Sequence, residues 1–467
     1  MLVLLAACLQ APPPDPAVTA KEIEATVRFL ASDELAGRAT GTPGGDRAAA
    51  YLAEALARCG VGPAGDEGNY LQAVPLRRAE AKAPPELVLS APGAGEKVMA
   101  VSGRDFEPPS AAVAVEDLKI LVAKGPADIP AKADPGVAIL VDAFVGDVKT
   151  WFEKAGHPQA AGFGLWIQAG SKTAGEERAF QAGPRGGLAR DLPKTASTPT
   201  VRVRGPLLER LKKGEFEKIT FRSGVEEVRF SAHNVVGRVA GTGGADLAGE
   251  AVVVSAHYDH LPSRTRKGTG EAEKKDEDTI YNGADDDASG CAAVLEIAEA
   301  LAAKKPARTV VFLFATGEEV GLLGTEAYLD HPVVPLERTV ANLNIEMIGR
   351  PDPMIGGAGR VWLTGYERSD LGPACEQAGL AVQADPRLDE HFFERSDNYA
   401  FVMRGVVGQT FSTYNMHGDY HHPSDEADTL DYAHMETSTK AVLGAVRLVA
   451  DGKLRPRWTE GGAPKHR

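Results

Sequence analysis

The chemistry that this sequence could perform is first visible in the stretch VVVSAHYDHL, residues 252–261. A valine-rich apolar run predicts a strand that is buried on both faces of a parallel sheet. Parallel sheets place functional groups just beyond the carboxyl ends of their strands, which is where His257 and Asp259 fall. The pair could be a metal ligand with its orienting carboxylate. A polar loop that contains a histidine by chance explains this stretch equally well.

Four further motifs follow, each at the predicted end of a strand or start of a helix. Three consecutive aspartates repel one another, and helix capping accounts for one of them but hardly for all three, so they favour a bound cation. Adjacent glutamates at a strand end would let one bind a metal while its neighbour acts as a general base. The motifs are NGADDDASG (282–290), FATGEEVG (314–321), NIEMIG (344–349) and GDYHHPSD (418–425).

Together the motifs supply histidines and carboxylates, without thiolates, at successive strand ends. Each motif taken singly has an ordinary structural explanation. As a set they suit zinc in an open catalytic site, with manganese or cobalt as substitutes. One shared carboxylate could bridge two ions about 3.5–4 Å apart, as in two-metal hydrolases.

A succession of strands and helices must position these groups. Strands are predicted at 234–239, 251–256, 309–315, 340–345 and near 405–411, and helices at 288–303 and from 321 to 329. This alternation predicts an α/β fold, a three-layer α/β/α sandwich with a mainly parallel central sheet.

The character of the chain changes along its length and predicts several segments. A leader and linker (1–19) precede a helical part (20–82), an inserted smaller β-rich or α/β domain (83–225), the metal-bearing domain (226–455) and a polar tail (456–467). The insert has few potential catalytic residues and a single histidine, His157, so we expect a module without catalytic activity. The glycine-rich loop GRATGTPGG (37–45) lacks the strand and the GK[ST] sequence of a phosphate-binding loop, so it predicts a connection between two helices.

Composition excludes some partners and suggests a location. The 467-residue chain has a formal net charge of -14, which argues against nucleic acid as a partner. Its four cysteines lack CxxC spacing, so neither a cysteine zinc site nor a dense disulfide framework is indicated. Residues 5–8, LAAC, resemble a bacterial lipobox, which predicts export to the periplasm, the medium or a membrane-anchored state lipidated at Cys8. The alternative is an apolar leader without function.

The ordered set of motifs resembles the co-catalytic di-zinc aminopeptidase family, which includes bacterial leucyl aminopeptidases, aminopeptidase Y and, more distantly, glutamate carboxypeptidase II. The resemblance covers most of residues 233–451, and many relatives carry a protease-associated insert where residues 83–222 lie. It rests on HYDHL, GADDDASG, EEVGLLGTEAYL, NIEMIG and DYHHPSDEADTLDY, with SDELAGRATGTPGGDRAAAYLA near the N-terminus.

Carried over by position, the resemblance implies two Zn²⁺ ions and five ligands. His257 and Glu346 would hold one ion, and Glu319 and His421 the other. Asp286, the middle aspartate of its run, would bridge them. In relatives the peptide bond after this aspartate is often cis.

The resemblance also implies catalytic roles. Glu318 would be the general base that takes a proton from a metal-bridging water and passes it to the leaving amine. Asp259 would hydrogen-bond His257 through its carboxylate. Tyr420 would hydrogen-bond the developing oxyanion, and Arg395 is a further candidate for this task or for substrate binding.

Two positions depart from the family pattern. Relatives usually have aspartate where this chain has Glu346, and they often read RSDH where this chain reads RSDN at 395–398. The first departure affects metal binding, and the second affects the shape of the pocket. Three further histidines are expected to line or brace the site, namely His260, His417 and His422.

The resemblance implies an exported zinc-dependent aminopeptidase that hydrolyses peptides. A carboxypeptidase or dipeptidase remains an alternative and would need a basic pocket from Arg264, Arg266 or Arg395. A glutaminyl cyclase uses one zinc ion, so the five-ligand set argues against it. A non-catalytic, receptor-like relative should lack ligands or the base, and here all are present.

Overall fold

The computed structural model describes residues 18–93, 95–109, 112–141, 162–169, 188–192, 198–263 and 278–464. The chain divides into two compact units, one built from residues up to Val74 and from Ser231 onward, the other from Pro75–Phe230. The predicted boundaries at 82/83 and 225/226 stay predictions. Within the described ranges, no helix is both long and apolar enough to cross a bilayer. Some residues that the sequence singled out lie outside these ranges, namely Cys8, His157, Arg264 and Arg266.

Helices and strands alternate over much of the described chain. The helices are α1 (Ala20–Leu30), α2 (Pro43–Arg58), α3 (Gly205–Lys212), α4 (Gly244–Ala248), α5 (Gly290–Ala303), α6 (Leu323–Asp330), α7 (Leu371–Gln377), α8 (Asn398–Met403) and α9 (Tyr432–Ala450). The strands are β1 (Gly62–Pro63), β2 (Leu71–Ala81), β3 (Glu86–Ser90), β4 (Lys97–Ala100), β5 (Phe106–Glu107), β6 (Ala114–Ala123), β7 (Val137–Val141), β8 (Leu165–Ala169), β9 (Leu188–Arg190), β10 (Thr200–Val203), β11 (Lys218–Arg222), β12 (Val225–Val239), β13 (Ala251–His257), β14 (Thr309–Ala315), β15 (Thr339–Ile345), β16 (Val361–Leu363), β17 (Val382–Ala384) and β18 (Gly408–Ser412).

The main sheet of the first unit runs in the order β17-β16-β18-β15-β13-β14-β12. Its central neighbours β18, β15, β13 and β14 are parallel, whereas β12 pairs antiparallel with β14 and β16 antiparallel with β18. The α/β class is thus confirmed, with a sheet of mixed direction. Every residue of β13, β14 and β15 is buried, as expected for central strands of a parallel sheet. The buried polar residues Ser255, Asn342 and Asn344 form hydrogen bonds between their side chains.

Alternate residues of the central strands face two different cores. Val252, Val254, Phe312 and Phe314 pack with residues of α1, α2, α5 and α9. Their neighbours along the strands, Val253, Val311 and Leu313, belong to the other core. There they pack with Tyr328 of α6 and Phe401 of α8. The two-residue period of a strand therefore gives the sheet helices on both faces.

The second unit is rich in strands in its described part. Its sheet has the order β4-β3-β11-β6-β7-β8-β10-β5. Residues Leu89, Ile167, Ile219 and Phe221 belong to its core, which the helix α3 covers through Leu207 and Leu211.

Two N-terminal helices pack on the main sheet, and a short loop joins them. The hydroxyl of Thr19 accepts a hydrogen bond from the amide of Glu22 and begins α1. The hydroxyl of Thr42 does the same for the amide of Gly45, and Pro43 occupies the first turn of α2. The glycine-rich stretch therefore connects two helices, as the sequence predicted.

Candidate metal centre

The carboxyl ends of three parallel strands bring the predicted motifs to one edge of the sheet. His257, the last residue of β13, lies opposite Ala315, the last residue of β14. Ser255 of β13 lies opposite Asn344 near the end of β15. Glu318, Glu319 and Glu346 therefore leave the sheet at the same edge as His257, because parallel strands in this register end level with one another.

The three aspartates lie in an irregular turn, Ala284–Ser289, that leads into α5. Asp285 accepts a hydrogen bond from the amide of Gly349 at 2.7 Å, and Asp287 accepts one from the amide of Met347 at 3.0 Å. These two carboxylates fasten the turn to the NIEMIG segment. Asp286 lies between them with a cis peptide bond to Asp287. Its carboxylate remains available to other groups.

The Asp286 carboxylate faces two histidines. Its Oδ1 atom lies 3.2 Å from Nε2 of His257, and its Oδ2 atom lies 3.2 Å from Nε2 of His421. Oε2 of Glu319 also lies 3.2 Å from Nε2 of His421. Atoms that share a tetrahedral zinc ion at its usual bond lengths lie about 3.3 Å apart. The spacing therefore fits metal ligands, with one oxygen of Asp286 toward each histidine.

Unpartnered polar atoms support the same fit. Within the described ranges, no hydrogen bond reaches Nε2 of His257 or Oε2 of Glu346, although both atoms are buried. Buried polar atoms are nearly always satisfied, so such a cluster indicates a missing electrophilic partner. His257, Asp286 and Glu346 can place one ligand atom each within 4.8 Å of one another. These residue types suit a zinc ion.

His260 reaches further into the site than the sequence indicated. Its Nδ1 atom lies 2.7 Å from Oε1 of Glu319 and 3.9 Å from Oδ2 of Asp286. His421 lies against the other oxygen of Glu319. His260 therefore braces Glu319 from the side opposite His421. The motif HYDHL contained this second histidine, but its spacing alone did not specify a partner.

The predicted hydrogen bond from His257 to the Asp259 carboxylate is wrong in the structure. Nδ1 of His257 lies 3.1 Å from the main-chain oxygen of Asp259 and 3.9 Å from its Oδ1 atom. The carboxylate is held elsewhere, because Oδ1 accepts from the amide of Glu318 at 3.1 Å and Oδ2 from the hydroxyl of Thr40 at 3.0 Å. Asp259 thus orients His257 through its backbone, while its side chain fixes the glutamate loop.

The site has an excess of negative charge. Burial raises the pKa of Glu318 well above its usual value and that of Glu346 to about 7, and neighbouring carboxylates add to both shifts. Burial acts to lower the pKa of His421, yet its contacts with Asp286 and Glu319 outweigh burial and raise that pKa to about 10. A cation bound among these groups would relieve their repulsion.

A pocket opens beside these groups. Asp286, Glu318 and Glu346 line it, together with an aromatic wall formed by Trp362, Phe392, Tyr414 and Tyr420. The ring of Tyr420 stacks on that of His421, with centroids 3.9 Å apart. A substrate group that enters the pocket would therefore meet carboxylates on one side and aromatic rings on the other.

Arg395 also lines this pocket. Its guanidinium lies 5.0 Å from the centre of the Phe392 ring and 3.8 Å from Oε2 of Glu390. The side chain is 42% exposed, so it belongs to the rim. Asn398, three residues on, donates to main-chain oxygens of Phe393 and Gly408 and accepts from Thr410, and so holds the pocket wall.

The other predicted histidines do not face the ligand cluster. Nε2 of His417 lies 3.0 Å from Oδ2 of Asp285, and Nδ1 of His422 lies 2.9 Å from Oγ of Ser424. Two residues that the sequence did not single out support the ligands. Ser396 lines the pocket together with Glu346, and Asp425 accepts from the amides of Asp285 and Asp286. No spacing rule marks such contacts, because they depend on how separate loops meet.

Comparison with known proteins places this site in a family context. Residues 234–446 match the model described as peptidase family M28. The fold is similar to that of an aminopeptidase from Aneurinibacillus sp. strain AM-1, with a TM-score of 0.52 and 20% identity over 93% of this chain and 94% of that one. At this identity the likeness shows the fold alone.

Curated relatives share about half of the chain. A vacuolar membrane protease of Lachancea thermotolerans is 25% identical over 231 residues, which are 48% of this chain and 21% of that protein. A probable leucine aminopeptidase 1 of Trichophyton verrucosum is 26% identical over 250 residues, 49% of this chain and 62% of that protein. The chain therefore spans less than two thirds of the length of either relative.

Proposed function

We propose that this protein is a zinc-dependent metallo-exopeptidase that removes N-terminal residues from peptides, because residues 234–446 match the model of peptidase family M28. One observation carries the proposal most directly. The carboxylate of Asp286 lies between Nε2 of His257 and Nε2 of His421, at 3.2 Å from each, as a bridging ligand would.

Two zinc ions fit this arrangement. One would be held by His257, Glu346 and Asp286, which can place ligand atoms close together. The other would be held by Asp286, Glu319 and His421, which meet within 3.2 Å contacts. When bound, zinc supplies Lewis-acid chemistry that acidifies water and polarises a carbonyl group. Manganese and cobalt prefer similar ligands and are expected substitutes.

Glu318 performs the proton transfers of the proposed reaction. Its carboxylate accepts a proton from the attacking water and returns it to the amine nitrogen as the peptide C–N bond breaks. Its main-chain amide donates to Asp259, which fixes the loop that carries it. Tyr420 lines the same pocket, where its hydroxyl is proposed to stabilise the oxyanion.

The charges of the pocket favour an aminopeptidase over a carboxypeptidase. Asp286 and Glu346 are proposed to be neutralised by zinc, which leaves the carboxylate of Glu318 as the group of the lining that can attract a free α-ammonium group and repel a substrate carboxylate. Arg395, the one arginine or lysine of the described lining, lies at the rim beside Glu390. The aromatic wall favours an apolar side chain at the substrate's N-terminus.

A peptide panel tests this proposal. Peptides with a free N-terminus are expected to be cleaved at least about tenfold faster, in kcat/KM, than N-acetylated forms, because acetylation removes a charge-assisted contact. Amidation of the C-terminus should change the rate little. Mass spectrometry of the products measures both effects. Cleavage of N-blocked peptides at undiminished rate would reject the aminopeptidase assignment, and loss of rate on C-terminal amidation would favour the carboxypeptidase.

The substitution Glu346→Asp tests the departure from the family pattern. Shortening the side chain by one methylene should draw its carboxylate away from His257 and Asp286, with which it can share an ion. We expect zinc affinity to fall by about tenfold, measured by competition with a chromophoric chelator. Glu337→Asp, at an exposed position two residues before the same strand, is the matched control. Unchanged affinity and rate in Glu346→Asp would show that the glutamate is a neutral replacement.

Several finer features complete the proposal. We propose a three-layer α/β/α arrangement for the peptidase domain, supported by the two cores on opposite faces of the sheet. The unit Pro75–Phe230 is proposed to be the insert of the protease-associated kind. Export, with a lipid anchor at Cys8, stays a proposal from the sequence of the leader, which lies outside the described residues.

A further inference from the structure

The loop between α1 and α2 carries an arginine that is completely buried. Arg38 has 0% of its surface exposed. A guanidinium has five N–H donors, and burying it costs free energy unless those donors are satisfied. All five donors of Arg38 have an acceptor, and each acceptor is a main-chain carbonyl oxygen. Such complete pairing indicates that the backbone around Arg38 is arranged for this side chain.

Four of the five acceptors lie on the two segments that carry metal ligands. Nε donates to the oxygen of Tyr258 at 2.7 Å, next to His257 in sequence. Nη2 donates to the oxygens of Gly283 at 2.7 Å and Asp286 at 3.1 Å. Nη1 donates to the oxygen of Asn282 and, at 3.1 Å, to that of Leu30 at the end of α1. One planar group thus joins the segment after β13 to the aspartate turn.

The rest of the loop makes close contact with the same two segments. Gly37 has a φ of +81°, and a Cβ atom there would lie 2.1 Å from the oxygen of Leu261 and 2.9 Å from that of Tyr281. The loop backbone therefore lies directly against residues that flank both segments. The hydroxyl of Thr40 donates to Oδ2 of Asp259 at 3.0 Å and accepts from the hydroxyl of Thr316 at 3.2 Å, next to the Glu318 loop.

We propose that Arg38 is a positioning residue for the metal centre, which sets the separation between His257 and Asp286 by holding the carbonyl groups of their two segments. The inference rests on the proposed zinc function. The Asp425 carboxylate accepts hydrogen bonds from the main-chain amides of the aspartate turn, whereas Arg38 donates to main-chain carbonyl oxygens in and just before the same turn. The two side chains therefore fix complementary sets of backbone groups. The ligand spacing is then built into the fold before any ion binds.

The test compares two buried arginines. Arg38→Lys keeps the charge but has only three N–H donors for the five carbonyl acceptors, and it loses the planar geometry of the guanidinium. Arg308→Lys is the matched control, because Arg308 is 3% exposed and donates to Glu250 and to the main-chain oxygens of Val449 and Leu454. Arg308 precedes β14, so it lies about 20 Å from the site at the other end of that strand.

Zinc affinity and the melting temperature of the metal-free protein are measured for the wild type and both variants. We expect Arg38→Lys to bind zinc about 10-fold to 100-fold more weakly, the range found for residues that orient ligands. Arg308→Lys should lower the melting temperature of the metal-free protein and bind zinc within about twofold of the wild type, since additive effects are expected at distant sites. Excess zinc should restore much of the activity of Arg38→Lys.

The outcomes separate this inference from the proposed function. Wild-type zinc affinity in a folded Arg38→Lys protein overturns the positioning role and leaves the peptidase proposal intact. A wild type that binds no zinc overturns both. If circular dichroism shows that Arg38→Lys does not fold, Thr40→Val decides, because it removes only the hydroxyl that donates to Asp259 and accepts from Thr316. It should weaken zinc binding by about twofold to tenfold, and an unchanged affinity would count against the loop's role.

Discussion

Replacing Glu318 with glutamine is expected to lower kcat by about 10³-fold while the zinc content of the protein stays at the wild-type value. The amide has the size of the carboxylate but cannot accept a proton at the pH of the assay. The main-chain amide of residue 318 keeps its hydrogen bond to Asp259, so the loop should stay in place. Glu318 lines the pocket and is not one of the five proposed ligands, so metal binding should survive its replacement.

Steady-state kinetics on an aminoacyl-arylamide and metal analysis by plasma spectrometry measure the two effects on the same sample. Glu326→Gln is a suitable control. Glu326 lies on α6, the helix after the Glu318 loop, and forms an ion pair with Arg404 at the surface. The control should retain wild-type kinetics. A Glu318→Gln protein with full activity would contradict the mechanism. A variant that has lost its metal would indicate that Glu318 is a metal ligand and not the general base.

The substitution Asp286→Asn is expected to have the second large effect, a loss of both zinc stoichiometry and activity. One oxygen of Asp286 faces His257 and the other faces His421, so an asparagine leaves at most one oxygen for two positions. Its amide group would also direct N–H donors toward a metal position. We expect fewer than two zinc ions per chain and a fall in kcat/KM of at least about 10³-fold, comparable to the loss of a catalytic group.

The metal-free melting temperature distinguishes this effect from misfolding. Removal of the Asp286 charge relieves repulsion from Glu319 and Glu346 but loses attraction to His257 and His421. We therefore expect only a modest change in that melting temperature, and a cooperative transition shows that the variant folds. Asp428→Asn, in which an 82% exposed side chain loses its charge, is the control for charge alone. Two zinc ions per chain in Asp286→Asn would exclude a bridging role.

Much of the fold around the site follows from local sequence signals. Strands β13, β14 and β15 were predictable because their apolar runs can be buried only inside a sheet covered on both faces. Helix α5 was predictable from its run of alanine and leucine residues. The mixed direction of the sheet was not, because strand order and direction depend on how distant segments pair.

The candidate site, like the fold, could be predicted from the sequence only in part. The sequence could predict which residue types meet, since His257, Glu318, Glu319 and Glu346 follow the ends of strands that a parallel sheet aligns. It could not show by periodicity that Asp286 faces both histidines, because the turn that holds it is neither helix nor strand. Family resemblance supplied that assignment, and the distances now give it a geometry to test.

Long-range contacts are where tertiary structure alone decided the outcome. The loop at 37–45 read as a plain connection because its residues carry no catalytic signature, yet Arg38 donates to backbone oxygens more than 200 residues away. Likewise, the carboxylate of Asp259 accepts hydrogen bonds from Thr40 and Glu318, whereas His257 hydrogen-bonds the main-chain oxygen of Asp259. The residue types at the strand ends could be read from the sequence, and they favour a metal site because histidines and carboxylates without thiolates suit zinc. Only the fold decided which side chains touch, because hydrogen bonds to main-chain atoms depend on the path of the backbone and leave no pattern in the sequence.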